Sequence, residues 1–336
     1  MRESETTGSL KPLKPFRILI ATSPFGKTGR KPFDLLEATG WELAENPYGR
    51  RLKAGEVGEH LAGMDAVIAG TEPYNAETLV RADRLKVISR VGIGLDSVDL
   101  KYCRERGIAV TYTPDAPSDA VAELTVANIL NLVRHIHASD RSVREGAWNR
   151  LMGRLVRELT IGVIGIGRIG SRVVRLLEPF RPAIFACDTD PKVFGLELPN
   201  VTWCGCEEIL KRSDLITIHI PLNEANRHFI DRDKLSLMRT GTLLVNTSRG
   251  PIVDEAALTD ALLQRHLGGA ALDVFEKEPY EGPLTRLDNV VFTAHMGASA
   301  RESRYLMELG AAEDCIRVLK GEKPAHDAIG ESGILG

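Results

Sequence analysis

The sequence predicts an α/β protein with two doubly wound parallel sheets. Three observations carry this. Short apolar runs alternate with helical stretches along most of the chain, the pattern of strands joined by crossover helices. Most of these runs are continuously apolar, as strands covered by helices on both faces are. One run leads through a glycine-rich turn straight into a helix, and a large folded region precedes it.

Taken in order, Phe16–Ala21 is a compact apolar run bounded by polar residues and Pro24, and reads as a buried strand. Runs at Asp65–Ala69, Leu85–Ser89 and Ile108–Tyr112 read the same way, with helical stretches such as Lys31–Ala38 and Ala76–Ala82 between them. Ser118 to His137 is the longest helical pattern, with Ser118 or Asp119 as its expected N-cap. Val121, Leu124, Ala127 and Leu130 form one apolar stripe on it, and Val126, Ile129, Val133 and Ile136 form another. A helix apolar on two faces is buried on two faces, so this one reads as the crossing between two domains. Six further strands are expected, at Leu159–Ile164, Ala183–Ala186, Leu215–Ile218, Gly241–Val245, Gly269–Leu272 and Val290–Thr293. Arg301–Leu319 is helical again and is expected to return to the first domain. The predicted boundaries are 15–117 with 298–336 for a discontinuous first domain and 118–297 for the second.

The 336 residues suffice for two domains, and the net charge of −3 with scattered Lys and Arg excludes a nucleic-acid footprint. No apolar run approaches the length of a membrane span. Met1 to Lys14 is polar and reads as a lead-in rather than a secretory signal. Five Cys are present, an odd number with no zinc spacing, and no metal is expected. Cys204 and Cys206 are the one close pair. The thiols read as reduced, partly buried and cytoplasmic.

The chemistry starts at Gly165-Ile166-Gly167-Arg168-Ile169-Gly170. The first Gly serves the tight turn, the second the close approach of a pyrophosphate, and the third the packing of helix on strand. The helix N-terminus offers free N–H groups to the phosphates. Asp188, about twenty residues on, stands where a carboxylate accepts hydrogen bonds from ribose hydroxyls and repels a 2′-phosphate. Thr189 and Asp190 follow it, not Arg, so NAD is favoured over NADP. Strand, turn, helix and acid in register make this a Rossmann NAD domain. Three polar segments then follow strand ends, where open α/β sheets bind ligands. They are Asn246–Gly250, Asp273–Pro279 and Ala294–Ser299, and they bring Arg249, Glu278 and His295 to one sheet edge.

These residues, together with Arg90–Asp99, Val121-Ala122-Glu123 and Gly146-Ala147-Trp148, resemble the D-2-hydroxyacid dehydrogenases from about Phe16 to Lys320. Within that family they are most similar to the phosphoglycerate dehydrogenases in a short form. The resemblance implies a flavodoxin-like substrate domain beside the NAD domain. It also implies hydride transfer between nicotinamide and C2 of a D-2-hydroxy or 2-oxo acid, 3-phosphoglycerate-like acids included. His295 would be the general acid/base, Glu278 would hold its ring, and Arg249 would bind the substrate carboxylate and polarise the C2 carbonyl. Gly92, Ile93 and Gly94 would give N–H groups to that carboxylate. Arg168 and Ile169 would meet the pyrophosphate, and Pro221 would lie beside the adenosine. Thr247, Asp273, Met296, Gly297 and Ala298 would border the nicotinamide end. A homodimer is implied, with the arm around Arg144 to Arg157 reaching the partner and Trp148 as anchor. His219 is a tempting second base, set aside because a single strand-end His is usually packed and hydrogen-bonded.

The sequence departs from phosphoglycerate-using members at Ala69, which stands where an Arg would meet a phosphate, and at Glu72, which adds negative charge. Lys27, Arg30 or Arg50 could supply positive charge instead. The chain stops soon after its last helix, so no C-terminal regulatory domain is expected. The same fold also serves NADH-sensing co-repressors and phosphite-type dehydrogenases, and these stand as the alternative readings.

Overall fold

The computed structural model describes residues 15–330. The polar lead-in at Met1 to Lys14 lies outside them. The chain forms two compact units: one takes the chain up to Pro114 and again from Tyr305, and the other runs from Asp115 to Arg304.

The first unit contains β1 (Arg17–Ile20), α1 (Lys31–Glu37), β2 (Glu42–Glu45), α2 (Ala54–Leu61), β3 (Ala66–Ala69), α3 (Ala76–Leu79), β4 (Val87–Arg90), α4 (Leu100–Glu105) and β5 (Ala109–Thr111). Its five strands are parallel in the order β2-β1-β3-β4-β5, the flavodoxin-like arrangement. Every residue of β3 and β4 is buried, as central parallel strands must be. α4 starts where Asp99 accepts the Tyr102 N–H at 2.9 Å, an Asp N-cap.

The second unit opens with α5 (Ser118–Arg134) and α6 (Ile136–Arg144). It continues with β6 (Thr160–Ile164), α7 (Arg168–Leu177), β7 (Ala183–Cys187), β8 (Val201–Trp203), α8 (Cys206–Arg212) and β9 (Leu215–Ile218). α9 (Arg232–Leu237), β10 (Leu243–Asn246), α10 (Glu255–Leu263), β11 (Gly269–Leu272) and β12 (Val290–Phe292) complete it. Asp231 and Asp254 cap α9 and α10 through the N–H groups of Lys234 and Ala257. Seven parallel strands run β12-β11-β10-β9-β6-β7-β8. Counted from β6, this is the 3-2-1-4-5-6 order of a Rossmann sheet with one strand added. The last helix, α11 (Arg301–Leu319), carries Glu308, which accepts the Gly26 N–H at 2.9 Å, and Ala311, whose carbonyl takes the Ser89 hydroxyl at 2.7 Å.

Three differences from the sequence reading have physical causes. β2 and β8 were not expected. Both are edge strands with exposed or half-buried residues, so neither shows an apolar run. α5 stops at Arg134 because His135 adopts a left-handed conformation, φ 53°. Ile136 therefore begins α6 and is exposed. Pro117, not Ser118 or Asp119, is the N-cap of α5. The buried stripe of α5, including Val121, Ala122, Ile129 and Val133, packs within the second unit against α7 and the β10–β12 side of the sheet.

Candidate active site

Because the seven strands are parallel, all their C-terminal ends lie on one edge. Read across the sheet, that edge presents His295 after β12, Asp273 and Glu278 after β11, and Thr247 and Arg249 after β10. His219 and Pro221 follow β9, Gly165 follows β6 and Asp188 follows β7.

The fingerprint turn shows three different demands on its glycines. Gly165 has φ +90°, and a Cβ there would stand 2.8 Å from the His219 carbonyl. A Cβ at Gly170 would stand 2.0 Å from the Gly165 oxygen, so helix and strand touch through it. At Gly167, the N-cap of α7, a Cβ would meet nothing within 4 Å. That open space in front of a helix N-terminus is the cradle a pyrophosphate needs. Asp188 accepts the Ile166 N–H at 2.6 Å through Oδ2 and the Asp190 N–H at 2.8 Å through Oδ1. A carboxylate oxygen has two acceptor sites, so capacity for ribose hydroxyls remains. The Arg168 side chain is drawn to Asp115, Nε to Oδ1 at 3.0 Å, while its backbone begins the helix. These features fit a dinucleotide, whose phosphates Gly165, Gly167, Ile169 and Gly170 would frame and whose ribose Asp188 would meet. Pro221 is exposed, and its carbonyl accepts the Asn226 amide at 3.0 Å.

His219 is packed, not poised. Its Nε2 pairs with Thr217 Oγ1 at 2.9 Å, its Nδ1 is buried without a partner, and burial pushes its pKa down to about 3. It stays neutral under the fingerprint turn and makes a poor base.

At the other end of the edge, His295 Nδ1 lies 2.7 Å from Glu278 Oε2. A carboxylate only accepts, so Nδ1 must donate, and Nε2 is left to exchange a proton. The Glu278 carboxyl is held below the usual carboxylate range. Its burial opposes this, but the hydrogen bond and charge of His295, the Phe275 N–H at 3.1 Å and the charge of Arg249 outweigh it. Glu278 thus stays ionised beside the imidazole. His295 sits at φ 49°, in the left-handed region that non-glycine residues rarely occupy. Its backbone N–H donates to the Asp273 carbonyl at 2.8 Å. The Asp273 side chain is buried, and it takes Thr293 Oγ1 at 2.6 Å, the Met296 N–H at 2.9 Å and the Gly297 N–H at 2.8 Å. The carboxylate therefore braces the loop that carries His295. Met296 is exposed, and Ala298 lies just beyond the braced stretch.

Arg249 is positioned by a residue the sequence reading passed over. Asn246 is buried; its Nδ2 donates to the Arg249 carbonyl at 2.9 Å and its Oδ1 accepts from both the Ser248 N–H and hydroxyl. The Arg249 guanidinium bonds the Ser248 carbonyl at 2.7 Å. Gly250 follows, where a Cβ would stand 1.9 Å from Phe275 backbone, so the Arg249 loop lies directly on the Glu278 loop. Thr247 is spent on Thr125, Oγ1 to Oγ1 at 2.8 Å. A polar residue ending an otherwise apolar strand, as Asn246 does, is the signal that could have singled it out.

Gly92, Ile93 and Gly94 belong to the first unit and follow β4. Gly92 has φ +137°, and its N–H donates to Thr113 Oγ1 at 2.9 Å. Among the described residues no cluster of His, Cys, Asp and Glu suits a metal, and no helix is long and apolar enough to cross a membrane.

Comparison with known proteins agrees with this geometry. The family model for the NAD-binding domain of D-isomer-specific 2-hydroxyacid dehydrogenases matches residues 126–297. A glyoxylate reductase of Thermofilum pendens is 39% identical over 264 residues, which span 76% of this chain and 78% of that one. A D-3-phosphoglycerate dehydrogenase of Methanocaldococcus jannaschii is 38% identical over 291 residues, which span 84% of this chain but 55% of the longer relative. The crystal structure of a D-lactate dehydrogenase from Aquifex aeolicus, complexed with NAD and lactic acid, superposes with a TM-score of 0.83 at 26% identity. It covers 94% of this chain and 100% of that one.

Proposed function

The chain belongs to the D-isomer-specific 2-hydroxyacid dehydrogenase family, and from that premise we propose that it reduces a small, unphosphorylated 2-oxo acid such as glyoxylate or hydroxypyruvate. That it is an NAD-dependent oxidoreductase follows from the family. The observation that carries the mechanism is the 2.7 Å Glu278–His295 pair beside Arg249, at the ends of three adjacent strands.

When bound, NADH supplies the hydride for C2. His295 gives the C2 oxygen a proton from Nε2 and takes one back in the oxidation direction, a task suited to imidazole. Glu278 fixes the ring through Nδ1. Arg249 orients the substrate carboxylate with its planar fork and draws electron density toward the C2 oxygen. The family resemblance would give the N–H groups of Ile93 and Gly94 to the substrate carboxylate, whereas that of Gly92, expected to do the same, is already held by Thr113 Oγ1. Asp273 keeps the His295 loop in its left-handed turn, and Thr247, Met296, Gly297 and Ala298 border the nicotinamide end.

The substrate class rests on the first unit. Ala69 ends β3 buried and uncharged, and the buried Glu72 takes the Gly70 N–H at 2.7 Å and the Tyr74 hydroxyl at 3.2 Å. A segment of that charge repels a phosphate. We expect kcat/KM for glyoxylate or hydroxypyruvate to exceed that for 3-phosphohydroxypyruvate by at least about tenfold, a difference of about 1.4 kcal/mol. Preference for the phosphorylated acid would overturn this assignment.

The protein acts as a homodimer in this reading. Trp148 and Met152 are 79% and 90% exposed, and Leu151, Leu155, Ile136 and Val143 are exposed beside them in sequence. So large a set of exposed apolar side chains marks a contact surface. Light scattering should give twice the chain mass, and Trp148→Glu should shift it toward the monomer; a monomeric wild type contradicts the dimer. A cytoplasmic location belongs to the same reading, and the free cysteines support it.

A further inference from the structure

The Arg249 loop and the Glu278 loop are joined through a third segment, and one residue makes the joint. His228 lies between β9 and α9. Its backbone is left-handed, φ 50°, a conformation that His adopts more readily than most residues. Its backbone N–H donates to the Pro251 carbonyl at 2.7 Å, and its side-chain Nε2 lies 2.9 Å from Glu276 Oε1. A carboxylate only accepts, so Nε2 carries a proton whether the ring is neutral or charged. Pro251 stands two residues after Arg249, and Glu276 stands two residues before Glu278. His228 therefore bonds both loops at once.

Glu276 is the fixed point of its loop. Its N–H donates to Glu255 Oε2 at 3.2 Å, and the Glu255 N–H returns a bond to Glu276 Oε1 at 3.3 Å. Glu255 is the first residue of α10, the helix into which the Arg249 loop runs. Both bonds are long, and they bring two carboxylates together, where like charges repel. The His228 bond is shorter than either and brings a donor to that pair. The preceding N–H, that of Phe275, holds Glu278 Oε1 at 3.1 Å. Gly250 lies against the same stretch, where a Cβ would stand 2.5 Å from the Glu276 nitrogen. Drift of Glu276 is thus passed to Glu278 on one side and to the Arg249 loop on the other.

We propose that His228 is a positioning residue for the reaction proposed at Arg249, Glu278 and His295, on which its role rests. Through Pro251 and Glu276 it sets the spacing between the guanidinium and the Glu278–His295 pair.

The test compares His228→Met with His228→Gln in the full chain. The two side chains are alike in length and branching, both leave the backbone bond to Pro251 in place, and only Gln can donate to Glu276. Three quantities are measured: amide hydrogen exchange by mass spectrometry, NADH affinity by fluorescence, and kcat/KM with glyoxylate or hydroxypyruvate per NADH-binding site. In His228→Met, exchange should rise in peptides covering 249–255 and 273–280. Its kcat/KM should fall by about tenfold to a hundredfold, the range for a misplaced catalytic group, with NADH affinity unchanged. His228→Gln should restore most of both. In a Glu278→Gln background, His228→Met should add little further loss, because residues acting through one another are not additive. A merely structural role predicts a lower Tm and fewer NADH-binding sites, with kcat/KM per site intact. That result would overturn the proposal, as would full additivity with Glu278→Gln or a Gln variant no better than Met. A wild type that reduces no 2-oxo acid would sink the substrate assignment alone. Exchange needs no turnover and still decides the role of His228: a rise in the two peptides supports it, and unchanged exchange overturns it.

Discussion

Replacing His295 by Ala is expected to lower kcat by two to four orders of magnitude, about the range for losing a positioned general acid, while NADH affinity stays unchanged. The separation follows from where the residue sits. His295 is at the β12 end of the sheet edge, and the fingerprint turn and Asp188 are at the β6 and β7 ends. Its imidazole is oriented by Glu278 at 2.7 Å, and its backbone is braced by Asp273. Removing the side chain takes away the proton donor and leaves the cofactor turn untouched. Steady-state rates with a 2-oxo acid, set beside a fluorescence titration with NADH, read the two effects apart. A variant that kept most of the wild-type kcat would refute the proton-transfer role.

Arg249→Ala should cut kcat/KM by about a hundredfold to a thousandfold, the usual loss when one donor to a developing oxyanion is removed. Arg249→Lys should recover only part of it, because a point charge does not reproduce the bidentate fork. The backbone of this residue is fixed by Asn246 and by the contact of Gly250 with Phe275, so the side chain is presented rather than searching. A structural ion-pair role predicts something different: lowered thermal stability with kcat/KM nearly intact. Melting curves measured beside the kinetics distinguish the two, and a Lys variant equal to wild type would contradict carboxylate recognition by the fork.

The parts of this account that could be read from the sequence were the ones written as continuous apolar runs or fixed spacings. The central strands β1, β3, β4, β6, β9 and β10 are buried nearly throughout, and burial on both faces leaves an unmistakable apolar signature. The edge strands β2 and β8 share neither burial nor pattern. The break at His135 depends on a left-handed residue that no composition signal marks. That Arg249, Glu278 and His295 lie along one sheet edge was legible because each sits in a segment that follows a strand end. Asn246 and the bracing role of Asp273 were not, since they act through hydrogen bonds to loop backbone that exist only once the loops are folded.

In the proposed reaction this edge of the sheet moves a hydride and a proton to C2 of a 2-oxo acid with D specificity. Incubating the protein with NADH and hydroxypyruvate and resolving the glycerate formed by chiral chromatography tests it most directly. Steady consumption of NADH with D-glycerate as the product is the expected result. No turnover by a protein that binds NADH, or formation of L-glycerate, would contradict it.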